Sequence, residues 1–172
     1  IMKLKDGLKN NTYDHVYLDP PPANDFFSLA CLIAATEIII PIDCDAFSIR
    51  AAQEIKQTID EVKQDHNPSL IVKGIVVNQY QKGTKHSLGI IQELKKIGYQ
   101  VLEPYIPTSI KVRESHSEVK PIVIGYPDHP VSQALFGLFD ELDKNENKLD
   151  SQIETKNIHA KQQSPEESKI LI

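Results

Sequence analysis

Short β-branched runs alternating with helix-length amphipathic stretches are what most limit the folds open to this chain. Residues 37–42 (Glu-Ile-Ile-Ile-Pro-Ile) and 70–77 are apolar at nearly consecutive positions, which suits strands buried on both faces. Residues 15–18 and 99–102 read as shorter strands. Phe26, Phe27, Leu29, Ala30 and Ile33 outline the apolar face of a helix running to about Ala35, with Asn24 as its N-cap. Phe47, Ala51, Ile55, Ile59 and Val62 recur at three-to-four-residue steps, predicting a second helix that stops near His66-Asn67-Pro68. A third helix is predicted over 87–97, with Leu88, Ile91 and Leu94 inward and Gly98 as its C-cap, and a last one over 131–142. Strands separated by helices of this length need crossover connections. The expected fold is therefore α/β, a three-layer, mainly parallel sheet with helices on both faces.

Length and composition narrow the function classes. A chain of 172 residues with 40% hydrophobic and 25% charged side chains can bury one core as a single domain. The longest apolar stretch, 29–42, is interrupted by Thr36-Glu37 and falls short of the ~18 residues of a membrane span. No apolar segment follows the basic residues of the N-terminus, so a secretory leader is not expected and the cytosol is the default. Cys31 and Cys44 are 13 positions apart, which is not a CxxC pair, and both read as buried thiols. The six histidines have no i, i+3 or i, i+4 partner, which leaves little basis for a zinc site. A net charge of −5 argues against a surface that is basic all over, while allowing a local basic patch. Beyond Asp143 the chain turns polar, and residues 140–172 hold eight acidic and five basic side chains. This tail is expected to be disordered or a loosely docked helix. A chain opening on Ile1 suggests a fragment, with residues 1–12 as a lead-in.

In an open parallel sheet, ligands gather outside the carboxyl ends of the strands. Asp19 follows the first apolar run, Asp43 and Asp45 the second, and Asn78 the third, while Pro107 and Thr108 follow Ile106. Asp43 and Asp45 read mainly as loop residues or helix caps. Asp19 reads differently: a carboxylate at the tip of a buried strand, followed by Pro20-Pro21-Pro22, suits a hydrated magnesium ion beside a nucleotide phosphate.

Four segments in order carry a family resemblance. Tyr13-Asp14-His15-Val16-Tyr17-Leu18-Asp19-Pro20-Pro21-Pro22 resembles the "YD, four apolar, D-x-P-P" segment of ParA-type partition ATPases, the deviant Walker relatives of MinD. Ala34-Ala35-Thr36-Glu37 through Pro41, with Phe47 after it, resembles their "AAD…hhP…(Y/F)" segment. Gly74-Ile75-Val76-Val77-Asn78-Gln79-Tyr80 is similar to their "G-hhh-(T/N)-x-(Y/F)" strand. The loop from Ile106 to Ser117 is similar to "IPRNVRLAEAPS". The likeness spans about residues 13–142, the expected nucleotide-binding portion, before a polar tail over 143–172.

The resemblance implies a partial P-loop NTPase fold that binds ATP and Mg2+. In it Asp19 would be the Walker B type acid holding magnesium through water, and Pro21 and Pro22 would belong to the γ-phosphate switch. Asn78 would read the adenine edge with its amide, and Pro107 and Thr108 would line the base pocket through backbone groups. Lys111 falls where the family has an arginine linked to non-specific DNA binding, and Lys82, Lys85 and Arg113 would join that patch. A homodimer, a ParB-type centromere-binding partner and a cytoplasmic, nucleoid-associated location are implied as well, with no membrane contact, because the acidic tail does not suit a MinD-like membrane helix. One departure is decisive for activity. The family's K-G-G-x-G-K-(S/T) phosphate loop has no counterpart, since none of the seven glycines is followed by lysine. This chain alone is thus expected not to hydrolyse ATP. Two readings stay open: the C-terminal part of a ParA-type ATPase for plasmid or chromosome partition, or a non-catalytic truncated paralogue that dimerises or binds a partner.

Overall fold

The computed structural model describes residues 2–9, 11–21, 25–157 and 169–171. In chain order the elements are α1 (Lys3–Leu8), β1 (His15–Tyr17), α2 (Phe26–Ala34), β2 (Glu37–Asp43), α3 (Phe47–Asp65) and β3 (Ile71–Asn78). They continue with α4 (Lys85–Lys95), β4 (Val101–Leu102), α5 (Lys111–Ser117), α6 (Ile122–Gly125), α7 (Pro130–Asn157) and β5 (Lys169–Leu171). The strands form one sheet in the order β1-β5-β2-β3-β4, with every named pair parallel. The parallel α/β architecture expected from the alternating pattern is present.

From β1 to β2 to β3 to β4 the sheet grows in one direction, so right-handed crossovers place α2, α3 and α4 in a single layer on one face. Contacts of α3 with both α2 and α4 agree with this. The core lies between that layer and the sheet. Ile33, Ile59, Leu70, Ile75, Val77 and Leu94 are at most 1% exposed, and burying an aliphatic side chain of this size stabilises by about 1.5–3 kcal/mol. Helices α5, α6 and α7 follow β4 in the chain, with α5 packed on α6 and α6 on α7.

Two local devices hold the layers together. Asn67, 2% exposed, donates from Nδ2 to the carbonyls of Leu32 (3.0 Å) and Ala35 (2.7 Å), while its Oδ1 accepts from Ser69 Oγ. It thereby satisfies carbonyls that the end of α2 leaves without helical partners. At Gly74 (φ +148°) β3 gains one residue over β2, and a Cβ there would lie 2.7 Å from the carbonyl oxygen of Gln100. Only glycine permits so close an approach of β3 to the segment entering β4.

Several sequence expectations need correction. The described N-cap of α2 is Asp25, whose Oδ1 accepts from the amides of Phe27 and Ser28, and Asn24 lies outside the described residues. Phe26 and Phe27 are exposed rather than inward; the buried side of α2 is Ala30, Leu32, Ile33 and Ala34. In α3 the buried stripe is Ser48, Ala52, Ile59 and Val62, so Phe47 (88% exposed) and Ala51 face solvent. In α4 Leu88 is exposed and Ile90 joins Ile91 and Leu94 inside. Thr84 starts this helix two residues earlier than the apolar pattern suggests, by accepting from the Ser87 amide. β1 is not a buried strand, because it ends the sheet and has only β5 beside it. Both cysteines are half-buried, and burial pushes the Cys31 thiol above its ordinary range. Past Asp143 the α7 backbone continues to Asn157 and Lys169–Leu171 enters the sheet, whereas 158–168 lie outside the described residues.

Candidate functional site

The ends of β2 and β3 are locked by side chains. Asp43 and Asn78 are register partners at the end of the β2–β3 ladder. Asn78 Nδ2 donates to Asp43 Oδ1 at 3.0 Å, and Gln79 Nε2 donates to Asp43 Oδ2 at the same distance. Each oxygen of one carboxylate therefore holds one side-chain amide. Gln79 has φ +55°, a left-handed conformation that turns the chain sharply out of β3. The Cys44 amide donates to the Asn78 carbonyl at 2.9 Å, closing the loop after β2 onto the same corner.

Pro107 and Thr108 reach this corner through backbone pairing. Ile106 N donates to the Val77 carbonyl, Tyr80 N to the Ile106 carbonyl, and Thr108 N to the Tyr80 carbonyl, all between 2.8 and 3.1 Å. Thr108 Oγ1 adds a bond to the Gln79 carbonyl at 2.9 Å, and Tyr80 packs edge-on against Tyr105. Asn78, Pro107 and Thr108 thus converge on one edge, as their positions after apolar runs suggest.

Asp19 is exposed just past β1 and makes no hydrogen bond or ion pair among the described residues. Pro21, also exposed, accepts from Ser28 Oγ at 3.2 Å, and Pro22 lies outside the described residues. A magnesium ion held through water needs one open carboxylate rather than a cage of protein ligands. Asp19 fits that requirement, and the described residues contain no cluster of three or more His, Cys, Asp or Glu to form a cage. A triphosphate needs aligned N–H donors and lysines, which no glycine-lysine loop of this sequence supplies. The residues present therefore fit a water-held magnesium ion but not a phosphate cradle.

Asp45 is a cap: its Oδ1 accepts from the Ser48 amide and hydroxyl, both at 2.9 Å, at the start of α3. The Ser48 hydroxyl bond holds its carboxyl below the usual range, against a smaller opposing effect of burial. The basic residues behave unequally. Lys82, Lys85 and Arg113 are exposed. Lys111 heads α5 with Nζ 2.7 Å from Glu114 Oε2 and 4.1 Å from the centre of the Tyr126 ring. The Glu114 and Tyr126 contacts together raise its pKa. Because Tyr80 bridges Pro107, the loops bearing the two groups leave the same side of the sheet. Sequence reading missed the Asp43 clamp, whose only signal is an acidic residue directly after a β-branched run.

A family model described as an AAA domain matches residues 2–72. The chain is 30% identical over 127 residues to the chromosome partitioning protein ParA of Myxococcus xanthus, covering 71% of this chain and 44% of that protein. It is 24% identical over 146 residues to the sporulation initiation inhibitor protein Soj of Bacillus subtilis, covering 84% and 57%. Among solved structures, cobyrinic acid a,c-diamide synthase of Mycobacterium smegmatis with a bound ATP analogue and magnesium is 25% identical at a TM-score of 0.63, covering 76% of this chain and 49% of that one. The chain spans about half the length of the curated relatives it matches. Four collinear segments and these relatives make the chain similar to ParA/Soj-type proteins.

Proposed function

We propose that the carboxyl edge of this sheet is the base and magnesium side of an ATP site belonging to a ParA-type partition ATPase. The convergence of Asn78, Pro107 and Thr108 on one edge, held by three backbone bonds and the Asp43 clamp, carries this reading. One Nδ2 proton of Asn78 is engaged by Asp43, leaving the second proton and Oδ1 as the donor and acceptor pair that an adenine edge requires. Pro107 and Thr108 would border the base with backbone groups. Asp19 would hold magnesium through water, and Pro21 and Pro22 would move with the phosphate state. Bound magnesium would supply positive charge beside the phosphates.

DNA binding is proposed for the group Lys82, Lys85, Lys111 and Arg113. Lys111 would first have to leave Glu114 and Tyr126, so in the isolated chain its contribution is reduced. Homodimerisation, a ParB-type partner and a cytoplasmic, nucleoid-associated location are proposed on the family resemblance. No helix among the described residues is long and apolar enough to cross a membrane.

A chimera joining a ParA-type N-terminal half to this chain tests the assignment. ATP should bind to the chimera and weaken by about tenfold or more in Asn78→Ala, a loss of roughly 1.4 kcal/mol or more. Equal affinity in that variant would overturn the base assignment. Duplex DNA binding by the chimera should lose about 0.9 units of log-log salt slope in Lys111→Ala. An unchanged slope removes Lys111 from the DNA surface.

A further inference from the structure

Helix α7 spans Pro130–Asn157, but the fold draws on its first turns. Among its described side chains Val131, Ser132, Ala134 and Leu138 are buried. Helix α6 packs on it, and Gly137 abuts Pro104, where a Cβ at residue 137 would lie 3.0 Å from the proline ring. Past Leu138 no described side chain of α7 is buried, and Phe136 and Phe139 are 43% and 64% exposed. Most of a helix's stability in a folded protein comes from packing an apolar face rather than from propensity. The outer turns of α7 carry such a face.

In sequence this face is a heptad seam. Leu135, Phe139, Leu142, Glu146, Leu149 and Ile153 follow one another at steps of four, three, four, three and four residues, the spacing that keeps one side of a helix toward a partner helix. Leucine fills one half of the repeat, and the other half holds Phe139, Glu146 and Ile153. At about 100° per residue, Asp150 falls beside Glu146 around the helix, whereas Lys144 and Lys148 belong to the opposite side. The seam is therefore apolar with an acidic border. In a parallel pair of identical chains Glu146 would face its own copy, and like charges there oppose pairing. An antiparallel copy would set it against a leucine, leaving a carboxylate buried without a partner. A cationic side chain opposite Glu146 meets neither cost.

We propose that the seam of α7 from Leu135 to Ile153 is a docking surface for an amphipathic helix of a separate polypeptide, apolar along its own seam and bearing lysine or arginine opposite Glu146 and Asp150. Residues 135–153 span about 27 Å of helix, which accommodates a partner helix of roughly five turns. The apolar positions supply the attraction, and the acidic ones select a cationic partner over a second copy of this chain. No residue of the nucleotide assignment belongs to this surface.

The test uses the full chain without nucleotide and fluorescein-labelled synthetic peptides, read by anisotropy. One peptide has three heptads with leucine along its seam and lysine at the central seam position and the borders. A second carries glutamate in place of each lysine, and a third has the composition of the first in scrambled order. The lysine peptide should bind saturably and slow amide exchange over residues 135–153. The glutamate peptide should bind about tenfold or more weakly at low salt, with the difference shrinking at high salt, and the scrambled peptide should not saturate. Phe139→Ala, a change at an exposed side chain, should weaken the lysine peptide by about tenfold or more. Glu146→Lys should invert the preference, so that the glutamate peptide binds better than the lysine peptide. If circular dichroism shows that Phe139→Ala loses helix, the Glu146→Lys inversion decides. Equal binding of the ordered and scrambled peptides, or a preference that Glu146→Lys leaves unchanged, would overturn the proposal. So would sedimentation showing that the chain alone forms a dimer that Phe139→Ala abolishes, since the second copy would then be the occupant. Each of these outcomes leaves the nucleotide assignment untouched.

Discussion

Asp43 and Asn78 face one another across the last rung of the β2–β3 ladder, and a 3.0 Å bond joins the Asn78 amide to the Asp43 carboxylate. With Gln79 held by the other oxygen, one acidic residue sets the orientation of two amides at the edge of the sheet. Asp43→Ala should free both. Hydrogen bonds to a charged group contribute about 1.5–3 kcal/mol at most, and this pair is solvent-exposed, so a loss of about 1 kcal/mol is expected. The sharper readout is NMR: the Asn78 side-chain amide protons should exchange with water faster in the variant, and unchanged exchange would show that Asp43 does not fix the amide.

Asn67 ties the α3–β3 turn to the end of α2. Asn67→Ala leaves the Leu32 and Ala35 carbonyls without the donor that now reaches them. Each unsatisfied buried group costs about 1–3 kcal/mol, so urea unfolding should show a loss of roughly 2–4 kcal/mol with an unchanged m-value. A loss below about 1 kcal/mol would mean that water replaces the amide.

The cap at Asp45 gives a pH dependence of known sign. Its folded pKa is depressed by the Ser48 bonds, so its stabilisation is present above the unfolded carboxyl pKa of about 4 and is lost as pH falls through the lower folded value. Asp45→Ala should cost about 1 kcal/mol at pH 7. The difference between variant and parent should vanish in acid below the folded value.

Tyr99 should titrate late. Burial, then the Asp60 carboxylate beside its hydroxyl, pushes its pKa up to about 12 from 10.0. The folded state keeps a proton that the unfolded chain releases, so stability falls between those two values as pH rises. Tyrosinate absorbance of the parent minus that of Tyr99→Phe should rise near pH 12, and a step near 10 would contradict the assignment.

Much of the architecture is legible in the chain because β-branched runs and 3.6-residue spacing report burial directly. Ile38, Ile40 and Ile42 are buried as the run from 37 to 42 suggests, and Asn78 and Thr108 emerge where their strands end. What escapes is set by partners far along the chain or by backbone torsion. Asn67 bonds to residues 32 and 35 positions away, which no local pattern records. Gln79 takes a left-handed conformation without being glycine, and Phe47 lies one position off the buried stripe of α3 despite its apolar side chain. β5 is least legible, since three residues after a long polar stretch join the sheet interior only by pairing with β1 and Glu37.

The central claim is that this chain carries the base and magnesium side of a ParA-type site without the phosphate cradle. Isothermal titration of ATP with magnesium, into the chain alone and into its chimera with a ParA-type N-terminal half, tests it most directly. The account predicts no saturable heat for the chain, saturable binding for the chimera, and loss of its magnesium dependence in Asp19→Ala. Magnesium-dependent phosphate release by the chain alone that disappears in Asp19→Ala would contradict it.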